Sequence, residues 1–365
     1  MFLHSKSASM QSKSARTAGT LFRVVAAAWI GAASSLAGAQ TKPLQGQQIV
    51  LYTSGGTQLE TTRELVIKPF EAESGAKVIV DDTCCARMQP ALEAGQYIGD
   101  LVIGLDRSSL LARADRGMLL ADPRVEQIAR RRGVADPFPS SQLVVLNQYS
   151  FLIAAKNDTV PLPKTWAEFF DVKKFPGTRG LLRNSPHVQL EAALLADGVS
   201  SERLYPLDVD RAFRKLGQLR ASTKIVVSAS GADQINNLGT GEVTYGITYS
   251  NRAFLAQRDG IKINFGYDDG FVVGNAAALL KGAKNVDGAV ALLEYHMRPE
   301  VLAKFAERTG MGPSYKAAAD LVDEKLKQKL PTSMANLARQ HRLSDEYWQA
   351  NQVELNKRWL AWLAQ

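Results

Sequence analysis

The two cysteines of this 365-residue chain, Cys84 and Cys85, stand side by side in "DDTCCARM". Adjacent thiols admit a redox site, a soft-metal site, a strained disulfide, or plain packing. Neighbouring Cα atoms lie about 3.8 Å apart, below the ~4.4–6.8 Å of ordinary disulfides. A bridge would therefore distort the peptide between them, close almost no loop and add little stability. A rigid, polarizable knuckle and two reduced thiols filling space both stay open, with a metal dithiol as the third alternative.

The other chemistry-bearing residues are dispersed. His187, His296 and His341 have no metal-ligand spacing, which argues against zinc or non-haem iron. No G-x-S-x-G elbow occurs. The stretches "TSGGT" and "GTGEV" lack the spacing and lysine of a phosphate-binding loop. Tyr245, Tyr249 and Tyr267 keep a ferric-ion cluster open. The expectation is a protein with no cofactor and no metal, one that binds rather than catalyses.

Residues suited to binding do gather. "TSGGT", with Ser54, Gly55 and Gly56, and "SASGA", with Ser228 and Ser230, each join an apolar strand to a helix. Free N–H groups and the helix dipole at such turns favour a carboxylate or phosphate. Arg107, Arg183 and Arg252 follow strands or turns of the same kind. Each also reads as an ordinary turn with a hydroxyl cap and a solvated arginine. Asp81, Asp82, Asp106, Asp268 and Asp269 would suit a cationic or zwitterionic group, although "GYDDG" equally reads as a turn. Tyr149, Tyr249 and Phe271 offer ring contacts or packing, and His187 sits in the nearby "RNSPH" turn.

Strands alternating with helices must position these groups. "QIVLYTSGG", "AKVIVDD" and "DLVIGLD" are apolar strands separated by an amphipathic helix and a loop. That order builds right-handed βαβ units and a mostly parallel sheet. The pattern resumes with "SFLIAAK" and "PKTWAEFFDVKKFPG", and later with "KIVVSASGADQINNL" and "EVTYGITYSNRAFLAQ". In the tail, Trp348, Gln352, Leu355, Trp359 and Trp362 form one stripe, expected to dock the last helix on the body.

The chain is 45% hydrophobic and 22% charged, with a formal charge of +8. Residues 1–39 hold four basic residues and no acid, so the rest carries 40 basic against 36 acidic residues. That surplus is too small to indicate nucleic acid. Residues 1–39 read as a cleavable signal peptide: a positive start, the apolar run "VVAAAWIGAASSLAGA" and an A-x-A site ending at Ala39. No later run is long enough for a spanning helix. A soluble periplasmic protein without membrane insertion is expected.

The order of segments resembles the periplasmic solute-binding proteins of ABC importers, the spermidine/putrescine-binding-like group. The matching stretches include "TSGGTQLETTRELVIKPFEAESGAKVIVDD", "TWAEFFDVKKFPGTRGLL", "EAALLADGVSSERLYPLDVDRAFRKL", "YSNRAF" and "YWQANQVELNKRWLAWL". The resemblance implies an α/β, type II-like clamshell of mostly parallel sheets, hinge-connected, with ligand in the cleft between two lobes. Lobe 1 would comprise residues 46–150 plus 272–313, and lobe 2 residues 151–271 plus 314–365. The implied partners are a small solute and the transmembrane subunits of an ABC permease, with the binder itself a monomer. A sensory module on the same fold is the alternative class.

Members that bind polyamines pair the ammonium groups with carboxylates and sandwich the chain between aromatic rings. Here the acidic pair falls on Ser185 and Val188, the indole on Ser228, Ala229 or Ser230, and a later Trp and Asp on Val273 and Asn275. The ligand is therefore expected to carry a carboxylate or other anion, with a polyamine or amino-acid-derived cation as the alternative. The expected lining is Ser54, Gly55, Gly56, Thr83, Cys84, Cys85 and Asp106 from the first half. Arg183, Ser185, Ser228, Ser230, Tyr249, Arg252 and Asn275 complete it.

Overall fold

The computed structural model describes residues 42–53, 55–83 and 88–365. The expected signal segment, Ser54, Cys84 and Cys85 lie outside the described residues. The chain begins with β1 (Gln48–Thr53), α1 (Thr57–Thr62), α2 (Lys68–Ser74), β2 (Lys77–Asp81), α3 (Met88–Glu93), β3 (Leu101–Asp106), α4 (Arg107–Asp115) and α5 (Pro123–Arg132). A π-helical stretch, Arg63–Ile67, joins α1 to α2. Next come β4 (Leu143–Ala155), α6 (Trp166–Phe170), β5 (Arg179–Leu182), α7 (Pro186–Ala196) and α8 (Val209–Ser222). β6 (Ile225–Ser228), α9 (Gly231–Gly239), β7 (Tyr245–Tyr249), α10 (Ser250–Arg258) and β8 (Asn264–Phe265) follow.

The last part holds β9 (Phe271–Leu279), α11 (Val286–His296), α12 (Pro299–Thr309) and β10 (Gly312–Pro313). Three short helices, α13 (Lys316–Ala319), α14 (Glu324–Lys327) and α15 (Met334–Leu337), precede β11 (His341–Arg342) and α16 (Asp345–Leu363). Local chemistry sets many boundaries. In α5, Asp122 caps the first turn by accepting from Arg124 N, Pro123 occupies N1, and Gly133 ends the helix in the left-handed region.

The strands form one sheet in the order β2-β1-β3-β9-β4-β7-β5-β6. Both wings are parallel: β1 pairs with β2 and β3, and β5 with β6 and β7. The centre is antiparallel, because β9 pairs with β3 and β4, and β4 with β7. The expectation of mostly parallel strands therefore holds for the wings and not for the middle. The cause is that β4 and β9 run through the centre in opposite senses, one carrying the chain out and the other bringing it back. All thirteen residues of β4 are buried, including the polar Asn147, Gln148 and Ser150 that separate its two apolar ends.

Two main cores flank this centre. One gathers Ile49, Leu51, Val66, Ile103, Leu279 and Leu293 on the β1 side. The other gathers Phe151, Trp166, Phe169, Leu181, Leu216 and Trp359 on the β7 side. The tail stripe docks α16 on the second core: Trp348, Leu355, Trp359 and Trp362 are buried, with Trp359 and Trp362 stacked at 5.2 Å. Truncating Trp359 would cost about 3–5 kcal/mol. The same helix reaches α4 through the Arg107–Asp345 ion pair at 2.7 Å, whose arginine is buried. No helix among the described residues is long and apolar enough to cross a membrane.

Candidate functional site

A cavity of about 480 Å³ opens at the C-terminal ends of strands from both wings, the place where open α/β sheets hold ligands. Its wall includes Gly55 and Asp106 from the first wing, Asn275 from β9, and Arg183, Ser185, Ser228, Ser230, Tyr249 and Arg252 from the second. The structure thus brings most of the expected residues together. Gly56 and Thr83 are not in the wall. Gly56 starts α1 at φ 72, a conformation that favours glycine. The Thr83 hydroxyl turns to Asp81 Oδ1 at 2.6 Å.

The acidic end of the cavity is built by β3 and β4. Asp106 ends β3 at the N-cap of α4, yet its side chain makes no capping bond. Its carboxylate instead accepts a hydrogen bond from the Tyr149 hydroxyl. Burial pushes the Asp106 carboxyl up to about 6 and nearby Asp345 adds to this, while the Tyr149 bond and the charge of Arg113 oppose it. Burial likewise holds the Tyr149 phenol well above its ordinary range. A half-desolvated carboxylate beside a phenol ring is a seat for an ammonium group.

Aromatic packing shapes the floor. Tyr249 stands 4.6 Å from Phe151 and 5.8 Å from Tyr149, centroid to centroid, and Phe151 lies 5.2 Å from His187. The Tyr249 and Ser185 hydroxyls share a hydrogen bond of 3.0 Å. A Cβ on Gly231 would meet Tyr249 Cδ2 at 2.8 Å and Arg252 Cγ at 3.5 Å. The glycine of "SASGA" therefore makes room for Tyr249 and the stem of Arg252.

Ser228 donates its hydroxyl to Gln234 Oε1 and receives Asn237 Nδ2 at 3.1 Å. Ser230 caps α9 by accepting from Asp233 N at 3.1 Å. Both hydroxyls are consumed by α9, so the turn serves the cavity by placing its neighbours. Asn275 is likewise turned inward, donating to Asn147 Oδ1 at 2.8 Å.

The cationic groups of the wall are Arg113, Arg183 and Arg252. Trp359 Nε1 fastens the Arg183 carbonyl at 2.8 Å and leaves the guanidinium exposed. Arg252 reaches the start of α1, its Nη2 3.9 Å from where a Gly56 Cβ would stand. Gln58 Nε2, Asn251 Oδ1 and His187 Nε2 belong to wall residues and are buried without a hydrogen-bond partner. Such atoms are costly unless something binds them.

Other candidates are engaged elsewhere. Arg107 pairs with Asp345. Asp268 pairs with Arg339, and Asp269 holds His341 at 2.6 Å and accepts from Trp166 N, so "GYDDG" is a structural turn. Phe271 stacks on Trp166 in the core. Tyr267 donates to Lys329 O, and Tyr245 lies against Arg179, so the three tyrosines do not converge. No group of three or more metal-binding side chains occurs among the described residues. Gln58, Ser109, Arg113, Asn251 and Gln352 also stand in the wall, outside the expected lining. The spacing of Asp106, Ser109 and Arg113 on one helix face could have signalled two of them.

Residues 66–334 match the family model described as bacterial extracellular solute-binding protein. The gamma-aminobutyric acid-binding protein of Pseudomonas aeruginosa is 30% identical over 341 residues, 90% of this chain and 94% of that one. The spermidine/putrescine-binding periplasmic protein of Escherichia coli is 27% identical over 174 residues, 47% of this chain and 49% of that one. A solved ABC transporter substrate-binding protein from Bradyrhizobium japonicum superposes with TM-score 0.79 at 28% identity, covering 87% of this chain and 99% of the other. The chain belongs to the bacterial extracellular solute-binding protein family, the substrate-binding proteins of ABC transporters.

Proposed function

We propose that the protein captures a small zwitterionic solute, one that carries both a carboxylate and an amine, and passes it to a membrane permease. The observation that carries this reading is the pairing of opposite seats in one cavity. Asp106 with Tyr149 forms a cation seat, and Arg252 beside the α1 start forms an anion seat. A diamine would bring no anionic group to Arg252 at the start of α1 and would set its second ammonium beside a like charge. The Pseudomonas relative, named for binding gamma-aminobutyric acid, supports an amino acid whose two charges lie several bonds apart.

In this reading the wings are lobes, residues 46–150 plus 272–313 against 151–271 plus 314–365, and β4 and β9 are the crossing segments. Cleft closure traps the solute, and delivery needs no bond to be made or broken. The protein works in the periplasm after cleavage following Ala39. Thermal-shift measurements over monocarboxylates, diamines and ω-amino acids test the ligand class, because a ligand of the native state raises Tm with its concentration. Stabilisation by gamma-aminobutyrate and related ω-amino acids is expected. Stabilisation by putrescine with none by amino acids would refute the proposal.

A further inference from the structure

Gly104 is the extra residue of a bulge in β3. Ile103 pairs with Ala277 of β9 and Leu105 with Ala276, so Gly104 has no partner on that strand. It sits at φ 96, in the left-handed region that favours glycine. Bulges re-aim neighbouring side chains and are common beside functional sites. This one opens a seat for the side chain of Gln58, and both residues line the cavity described above. A Cβ on Gly104 would stand 2.6 Å from Gln58 Nε2 and 3.4 Å from Gln58 Cδ, with Thr53 Oγ1 at 3.6 Å. Any side chain at position 104 would therefore push the carboxamide away.

The seated amide is left unfinished. Gln58 Nε2 is buried with no hydrogen-bond partner, and Thr53 Oγ1 beside the same seat is in the same state. An amide nitrogen only donates, and a carboxylate is the side-chain-sized acceptor with the greatest capacity. A buried donor without an acceptor is costly until one arrives. The charge of this corner also favours a carboxylate. Gln58 lies two residues after Gly56, and Arg252 Nη2 comes within 3.9 Å of where a Gly56 Cβ would stand. Asp82 approaches Gly55 at a similar 3.9 Å, but it is exposed to solvent and outside the cavity wall. One donor from each wing thus stands at the start of α1.

We propose that Gln58 is a specificity-determining residue, whose carboxamide, held on the Gly104 bulge, donates to the solute carboxylate at Arg252. Being neutral, it leaves that carboxylate as the counter-charge of the guanidinium. A glutamate of the same shape would pair with Arg252 itself, repel the carboxylate and offer a second seat for an ammonium. The nitrogen of an amide against the oxygen of an acid, at one position of α1, then decides between an amino acid and a diamine. This rests on the zwitterion reading above and assigns a residue to its carboxylate end.

The test is calorimetric titration of the full chain with gamma-aminobutyrate and with putrescine, in the unmodified protein and in Gln58→Met and Gln58→Glu. Gln58→Met keeps the length and loses the donor, and should bind gamma-aminobutyrate about tenfold more weakly. Gln58→Glu should bind it at least about a hundredfold more weakly and putrescine more tightly than the unmodified protein does. The preference between the two solutes therefore narrows or reverses, which a merely structural role for Gln58 would not cause. An unchanged affinity in Gln58→Met, or a preference that Gln58→Glu leaves unaltered, overturns the role of Gln58 and leaves the zwitterion reading standing. Putrescine preferred by the unmodified protein, or neither solute bound, overturns both.

Discussion

Tyr149 on β4 donates its hydroxyl to the carboxylate of Asp106 at the end of β3. The bond joins the long crossing strand to the acidic seat, and it spares Asp106 from capping α4. An orienting phenol and a partly desolvated carboxylate suit the recognition of an ammonium group. Asp106→Asn should keep the shape and lose the charge. It is expected to weaken binding of an amine-bearing solute by about 2–4 kcal/mol, while Tm without ligand changes little or rises. Calorimetry and thermal melting measure both, and full affinity in the variant would remove Asp106 from the site.

The same carboxylate predicts how binding depends on pH. With the Asp106 carboxyl pushed up to about 6 in the empty protein, acid neutralises the group that the ammonium needs. Affinity for a zwitterion should hold steady above pH 7 and fall as pH drops through about 6, by up to tenfold per unit. Asp106→Asn should flatten that profile between pH 5 and 7. A slope that persists in the variant would assign the titration to another group.

Glu191 supplies a stability prediction independent of ligand. It is buried in α7, where its Oε1 accepts from Tyr205 Oη and Trp348 Nε1. Burial pushes it up to about 8, against the lowering effect of those two bonds. Between the unfolded value of 4.5 and about 8 the native state holds a proton that the unfolded state has released. Stability is therefore fullest below about 4.5 and falls as pH rises through about 8, with a limiting slope of about 1.4 kcal/mol per pH unit. Glu191→Gln should abolish this contribution and melt higher than the unmodified protein at pH 8. Parallel Tm–pH curves for the two would contradict it.

Gly231→Ala probes the close approach behind Tyr249. The added methyl would press on the ring at 2.8 Å, so the ring must move into the cavity. Solute affinity should drop about tenfold or more while Tm falls by only a few degrees. An unaltered affinity would show that Tyr249 yields without consequence for the site.

Much of this was legible in the residues, for identifiable reasons. The second half of β4 stands out as the apolar run "SFLIAAK", whereas Asn147, Gln148 and Ser150 mask its first half. Arg183 and Arg252 are expected at the cavity because they follow strands or turns, Ser185 because the family resemblance puts an acid there, and Asp106 and Tyr249 as a candidate acid and ring. Their partners are not expected, because hydrogen bonding across distant segments leaves no local trace. Ser228 and Ser230 look alike to any Ser/Gly turn rule, yet α9 takes both hydroxyls. Gln352 reads as part of a docking stripe because it shares a helix face with three buried tryptophans, but it lies where α16 passes the cavity. Asp269 looked like a candidate acid and instead sits at φ 60, tying β11 to α6. The antiparallel centre follows from tertiary crossing, which no local pattern encodes.

The central claim is that one cavity seats a carboxylate and an amine together. Isothermal titration of gamma-aminobutyrate and of putrescine into the same preparation near pH 7.5, with Arg252→Gln alongside, tests it most directly. Saturable binding of the amino acid is expected, at least tenfold weaker in Arg252→Gln, with little or no binding of putrescine. Tight putrescine binding that Arg252→Gln leaves intact or strengthens would contradict it.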